Sequence, residues 1–475
     1  MNPAPKMIVL EFNELCSDLI GEFMDRGQLP NFRRLHSRST VFTTEAGEVP
    51  PNLQPWIQWP SVHSGMTFAE HGVVNLGEGT ELREKCVAEV LSDAGVPVGV
   101  FGSMNMNYRS LNGYFLPDPW HKEGKARPER LQPYFRVVAR QVQESSREDA
   151  FGRAEMAGLA WFLLRNGLTL GTASDIARQL LRERLDDGLK WRRASVLDHL
   201  QYDVFRRMNA RYRVRFATFF SNSTAHYQHY YWRNMRPELF TTPVSPDDHV
   251  SWREAILFGY RSMDRLIGRA LVDYPDSVIV LCTALSQSPW TETTKCTFRP
   301  RDFAALFDFA GIPGDSVQVK PIMAEEFYLE FREPGAREHA EKALQDLAAG
   351  ERRLMSVKRE SDTSLLCGCA VKDLRFVTPQ VTRQRDGAQR AFTDLFYMIH
   401  TMRSGYHNPR GSFWFGNGQH KVVAEPIPIT DIAPTVLDCF GVAKPAHMRG
   451  HSVLRSPSPT STGRESSPIR AAARG

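Results

Sequence analysis

Carboxylates, imidazoles and amides that follow short apolar runs are the residues here whose placement suits chemistry. Glu11 and Asn13 close the run Met7–Phe12, His226 and His229 follow the run 216–220, and Thr283, Ser286 and Gln287 follow the run 278–282. His407 stands between Gly405 and Pro409, in a segment that reads as a loop. One carboxylate with two imidazoles suits a divalent cation, proton transfer or stabilisation of a departing oxyanion. A charge at the end of a buried strand is costly unless it is paired, which favours a functional reading of Glu11. Asn13, Gln58 and His226 are the polar residues nearest this set and are read as substrate-binding; Glu14, His63 and His71 are further nearby donors. Cys367 and Cys369 share a strand face but lack a second cluster of ligands, so ordinary burial is the better reading.

The elements that position these residues alternate in type. Residues 7–12 read as a strand, and Leu15, Leu19, Ile20 and Phe23 then recur at helical spacing until Gly27 and Pro30. Residues 84–91 read as a helix and 96–101 as a strand; 216–220 and 278–282 read as buried strands, with a helix over 256–271 between them. Such alternation predicts an α/β fold with a mostly parallel sheet and helices on both faces. Residues 45–75, rich in Pro, Gly, Trp and His, read as a long irregular segment, and such segments are usually functional. Residues 128–213 read as a helical insertion or cap, in which Ile176, Leu180, Leu181, Leu185 and Leu189 form one stripe and Thr172 with Asp175 has capping-box spacing. The expected domains are therefore 1–127 with 214–455 as the α/β body, 128–213 as the insertion, and 456–475 as a disordered polar tail.

Composition narrows the classes. The 475 residues are 42% hydrophobic and 24% charged, enough apolar material for a large core. The net charge of +5 is spread along the chain, which argues against a nucleic-acid partner. No apolar run reaches the roughly 18 residues of a membrane span, so no membrane partner is expected. Seven cysteines without framework spacing suit a reducing, cytoplasmic setting.

Five segments, in order, resemble the alkaline phosphatase superfamily, in particular its type I phosphodiesterase and nucleotide pyrophosphatase branch. They are IVLEFNELCSDLIGEFMDRGQLPNFRRL (8–35), WPSVHSGMTFAEHGV (59–73), AHYQHYYW (225–232), SGYHNPRGSFWFGNG (404–418) and PIPITDIAPTVLDCFGVAKPAHMRGHSVL (426–454). The resemblance implies an alkaline-phosphatase-like α/β fold and a hydrolase or transferase acting on a phosphate or sulfate ester of a small metabolite. It also implies two divalent cations, usually zinc, held by Asp and His around a Thr or Ser nucleophile. Here the matching positions hold Glu11, His229 and His407, but also Ala225, Ala284 and Leu285, which have no donor atoms; the nucleophile position falls on Pro55, flanked by Gln54 and Trp56. The expectation is that Glu11, His229 and His407 are the catalytic set and hold at most one cation, zinc or manganese, and that a complete two-zinc centre is not formed. The alternative expectation is a catalytically degenerate relative that binds a ligand or a protein.

Overall fold

The computed structural model describes residues 5–106, 108, 110–121, 124–143, 153–246, 248–321, 326–399 and 402–454. The expected tail at 456–475 lies outside the described residues. The apolar runs form β1 (Met7–Phe12), β3 (Val98–Phe101), β5 (Phe216–Ser221) and β6 (Val278–Cys282), and two strands not read from the sequence join them, β2 (Thr40–Glu45) and β4 (Gly113–Leu116). With the strands Lys421–Pro428 and Arg410–Phe415 they form an eight-stranded sheet in the order Lys421–Pro428, β2, Arg410–Phe415, β6, β1, β5, β3, β4. Only Arg410–Phe415 runs against its neighbours, so the sheet is mostly parallel, as the alternating elements predict.

Side chains of β1 alternate between two cores, as a strand period of two requires. Ile8, Leu10 and Phe12 enter one apolar layer together with Leu19, Phe219, Tyr260 and Leu266. Met7 and Val9 enter the other, with Trp59, Val87, Val280 and Val436. Both faces are therefore covered by helices, and the centre of β1 never meets water.

The segment 45–75 is where the sequence reading and the structure part. Pro55–Ser64 is a helix, and Ile57 through Ser64 are all buried. Proline hid it. Pro55 occupies the first helical turn, where its missing N–H is harmless. Pro60, in the interior, removes the donor for the Trp56 carbonyl, a fault of about 3 kcal/mol in an isolated helix. Here Asn105 Nδ2 donates to that carbonyl at 2.8 Å. A partner 49 residues away in sequence repairs the break, so local propensity could not show it.

Within the expected insertion, the helix Arg193–Tyr212 packs Tyr202, Val204, Phe205 and Met208 into the core with Phe101 and Phe219, and so covers the sheet directly. The helix Leu170–Leu185 is capped by Thr169, whose side chain accepts the Thr172 N–H, rather than by Thr172. Its inward residues include Gln179 and Glu183, which bond each other at 2.7 Å, while Leu180, Leu181 and Leu185 are exposed. Of the stripe read as apolar packing, Ile176 does pack against the core, and these three leucines form the outer face.

Residues 296–396 have their own apolar core, separate from the two sheet faces. Two four-stranded antiparallel sheets build it. Phe327–Phe331 shows the alternating burial of a strand with one face covered, which distinguishes it from β1. Cys367 and Cys369 are buried in this core, in agreement with the plain reading of that pair.

Candidate functional site

Parallel register brings the functional segments to one edge. Glu11 lies opposite Phe220 on β5 and Cys282 on β6, and Phe12 lies opposite Ser221. The chain therefore leaves β1, β5 and β6 side by side, which is where ligands collect in such sheets. After β1, Glu14 turns the chain with φ +60°, a left-handed conformation uncommon outside glycine. After β5, the helix Ser223–Met235 carries His229. After β6, the strand Ser286–Pro289 pairs antiparallel with Gly405–Asn408, setting His407 opposite Gln287. His407 is thus held on a strand, not in a free loop.

Glu14, His229 and His407 meet at this edge, with one donor atom of each within 4.8 Å of the others. Glu14 Oε2 is 3.2 Å from His229 Nε2 and 3.5 Å from His407 Nε2. Asn13 Nδ2 donates to Glu14 Oε1 at 2.8 Å, and Gln287 Nε2 donates to Glu14 Oε2. Burial by itself would push the Glu14 carboxyl up; His407 and His229, by charge and hydrogen bonding, outweigh it and hold the group well below its ordinary value. Burial pushes the His229 ring down, and Glu14 opposes that only in part. An ionised carboxylate beside a neutral imidazole is the protonation state that a metal ligand set requires.

The two histidines are prepared differently. His407 Nδ1 lies 2.8 Å from the Leu53 carbonyl oxygen, which can only accept, so Nδ1 carries a proton and Nε2 is the ring atom turned to Glu14. That Nε2 is buried and has no hydrogen-bond partner among the described residues. His229 Nδ1 lies 3.2 Å from Arg403 Nη2, and a guanidinium can only donate. His229 Nδ1 therefore accepts, and its proton sits on Nε2, directed at Glu14. His407 is set to ligate; His229 becomes a ligand only when Arg403 withdraws and the proton moves to Nδ1.

Glu11, the carboxylate expected in this cluster, is elsewhere. It points into the same layer as Met7 and Val9, where Ser103 Oγ donates to its Oε2 at 2.7 Å and His63 Nε2 stands 3.0 Å from its Oε1. The carboxylate beside His229 and His407 is Glu14, three residues on. The expected substrate-binding residues also divide. Asn13 joins the cluster through Glu14 and also donates to Asn222 Oδ1 at 2.7 Å, while Trp59 Nε1 donates to Asn13 Oδ1 at 2.9 Å. Gln58 is buried and donates to the Asn52 carbonyl at 3.2 Å, bracing the segment before the helix Pro55–Ser64. His226, one turn before His229, packs its ring 5.1 Å from that of Tyr230 and is not among the three convergent donors.

Gln287 was marked only by its place after the run 278–282, and Arg403 had no motif to mark it as a neighbour of this site. Ala225, Ala284 and Leu285 are buried, and the latter two lie in the apolar layer behind β6. At the expected nucleophile position Gln54 caps the helix, Pro55 follows, and the Gln54 side chain donates to the Pro51 carbonyl at 2.9 Å.

No family model matches the chain, and no curated protein does. Among solved structures, it is similar to a variant of the alkaline phosphatase PafA, at 12% identity and TM-score 0.45, over 96% of this chain and 99% of that one. It is also similar to human ectonucleotide pyrophosphatase/phosphodiesterase 5, at 7% identity and TM-score 0.40, over 94% and 97% of the two chains. A third likeness is to the phosphonoacetate hydrolase of Sinorhizobium meliloti, in complex with phosphonoformate, at 12% identity and TM-score 0.38, over 92% and 95%. These likenesses are of fold. Among the described residues no helix is long and apolar enough to cross a membrane.

Proposed function

We propose that Glu14, His229 and His407 hold one divalent cation, zinc or manganese, and that the protein is a hydrolase or transferase acting on a phosphate or sulfate ester of a small metabolite. The observation that carries this reading is the convergence of Glu14, His229 and His407, one ligand atom of each within 4.8 Å of the others. A cation at this point takes the place of the protons that the carboxylate and the rings share. Two imidazoles and a carboxylate match a catalytic zinc site with an open position. When bound, the cation supplies Lewis acidity to the ester oxygen.

The chain's own residues do the rest. Gln287 and Asn13 orient Glu14, and the Leu53 carbonyl orients His407. Arg403, once released from His229, offers a guanidinium fork to the anionic group of the ester. With Gln54 and Pro55 at the helix start, the nucleophile in this reading is water rather than a side chain.

A second reading, a degenerate relative that binds without turnover, draws on the same missing nucleophile and on the apolar side chains at 225, 284 and 285. Elemental analysis of the purified protein, with a panel of phosphate and sulfate esters assayed for unmodified chain and Glu14→Gln, separates the two. One bound cation and Glu14-dependent turnover support the enzyme. A metal-free chain without turnover overturns it and leaves the binder.

A further inference from the structure

Among the helices on one face of the sheet, the structure contains a cavity of about 670 Å³ that Glu14, His229 and His407 do not line. Four elements converge on it: the helices Pro30–His36, Arg193–Tyr212 and Ala255–Asp273, and the start of Leu170–Leu185. Its wall carries Arg34, Arg206, Arg265 and Arg269 against two carboxylates, Asp175 and Asp273. Arg265 and Arg269, one turn apart, share a helical face; Arg206 comes from the neighbouring helix.

The carboxylates are occupied elsewhere. Asp175 is 2.8 Å from Arg178, and Asp273 accepts the Tyr202 hydroxyl at 3.2 Å. Arg269 is paired with the buried Asp203. Among the described residues, Arg34, Arg206 and Arg265 have no carboxylate within ion-pair distance, and Arg206 Nε is buried without a hydrogen-bond partner. Arg265 Nη2 reaches only the His199 ring, 3.3 Å away, which itself lies 3.0 Å from Ser262 Oγ. Three uncompensated guanidinium groups around one cavity repel one another, and their planar forks match tetrahedral oxyanions. The first turn of Leu170–Leu185, at Gly171 and Thr172, adds the positive end of a helix dipole to the same wall.

We infer that this cavity binds a phosphorylated small molecule carrying at least two negative charges, at a site separate from the Glu14 centre. Its size lies within the range of about 300–1,000 Å³ usual for small-molecule pockets. Arg206, Arg265 and Arg34 hold the phosphate oxygens, and Thr172 lines the entrance. The helix Ala255–Asp273 also carries Tyr260, whose hydroxyl donates to Gln228 Oε1 at 2.7 Å beside the Glu14 turn, so one rigid element touches both places.

Pyrophosphate is the probe, titrated calorimetrically into the full chain at low ionic strength. The expected result is binding that survives in Glu14→Gln and weakens at least tenfold in Arg206→Gln and in Arg265→Gln. Hydrogen exchange on the unmodified chain should show protection at 170–173 and 262–270 when pyrophosphate is present. Binding that disappears in Glu14→Gln but is unchanged in both arginine variants overturns the inference. So does the lack of binding at millimolar concentration, or equal displacement by sulfate, which would mark a general anion site only. If a variant fails to fold, the exchange experiment decides by itself, because unprotected amides in both segments refute the site.

Discussion

His407 Nδ1 lies 2.8 Å from the carbonyl oxygen of Leu53, 354 residues earlier in the chain. This one contact keeps a proton on Nδ1, aims Nε2 at Glu14, and ties a late strand to the segment that enters the buried helix Pro55–Ser64. A site assembled through such long-range contacts responds in specific ways to single changes.

Replacing the carboxylate separates its two possible positions. Glu14→Gln should weaken zinc or manganese binding by roughly 100-fold or more, since ligand charge and count set affinity. Glu11→Gln should leave that affinity within a few-fold but lower stability by about 1–3 kcal/mol, because it disturbs a buried carboxylate bonded to Ser103 and facing His63. Competition with a chromogenic chelator and urea unfolding read the two effects. Equal metal loss in both variants would sink the assignment of Glu14.

Arg403 should act as a brake on metal binding. Its guanidinium holds the His229 proton on Nε2, the atom that has to ligate. Arg403→Leu should therefore bind zinc more tightly, by about 10-fold on the scale of groups that orient metal ligands, while its KM for an anionic ester rises. Weaker zinc binding in this variant would show that Arg403 supports the ligand set.

Gly405 marks a close approach. A Cβ there would lie 2.4 Å from both the Gln228 carbonyl oxygen and Gln287 Oε1, and the backbone atom has little room to move. Gly405→Ala should cost about 1–3 kcal/mol, as overpacking does, and should loosen the metal site because Gln287 holds Glu14. Thermal unfolding with and without zinc tests it; an unchanged transition would contradict the packing described.

His71 gives a pH signature. Burial pushes its ring from an ordinary 6.5 down to about 4, and its Nε2 lies 3.0 Å from Ser61 Oγ while Nδ1 accepts the Val73 N–H. Between those two values the unfolded chain binds the proton more readily than the folded one. The contribution of the neutral ring is thus fully present above about pH 6.5 and is lost as pH falls towards 4. The stability difference between unmodified chain and His71→Asn should shrink over that window in urea titrations at stepped pH. A constant difference would mean that the ring is not held neutral.

Restoring the missing donors should expose why they are missing. Ala284→Asp with Leu285→His places polar groups in the apolar layer around Val280 and Trp59, at a cost of about 2–5 kcal/mol. Added zinc should recover more thermal stability in the double variant than in the unmodified chain. Metal content that stays unchanged would place residues 284 and 285 outside any cation's reach.

The order of strands and helices was legible in the sequence because burial leaves a periodic trace. β6 spans the residues expected from its apolar run, and β1 and β5 match to within a residue. His229 could be named because it follows a predicted strand, and His407 because it stands in a Gly- and Pro-bounded segment that read as a loop and resembled a late histidine segment. The choice between Glu11 and Glu14 could not be made that way. Every residue from Met7 to Cys16 is buried, so no alternation of polar and apolar positions says which carboxylate faces the cleft. Only the pleat of β1, which turns Glu11 towards His63, and the left-handed turn at Glu14 decide it. The helix at 55–64 was hidden for a related reason: its repair by Asn105 is a contact between distant segments. Sequence carries local periodicity and residue chemistry; the direction of a side chain at a strand end depends on what packs across it, which exists only in the folded chain.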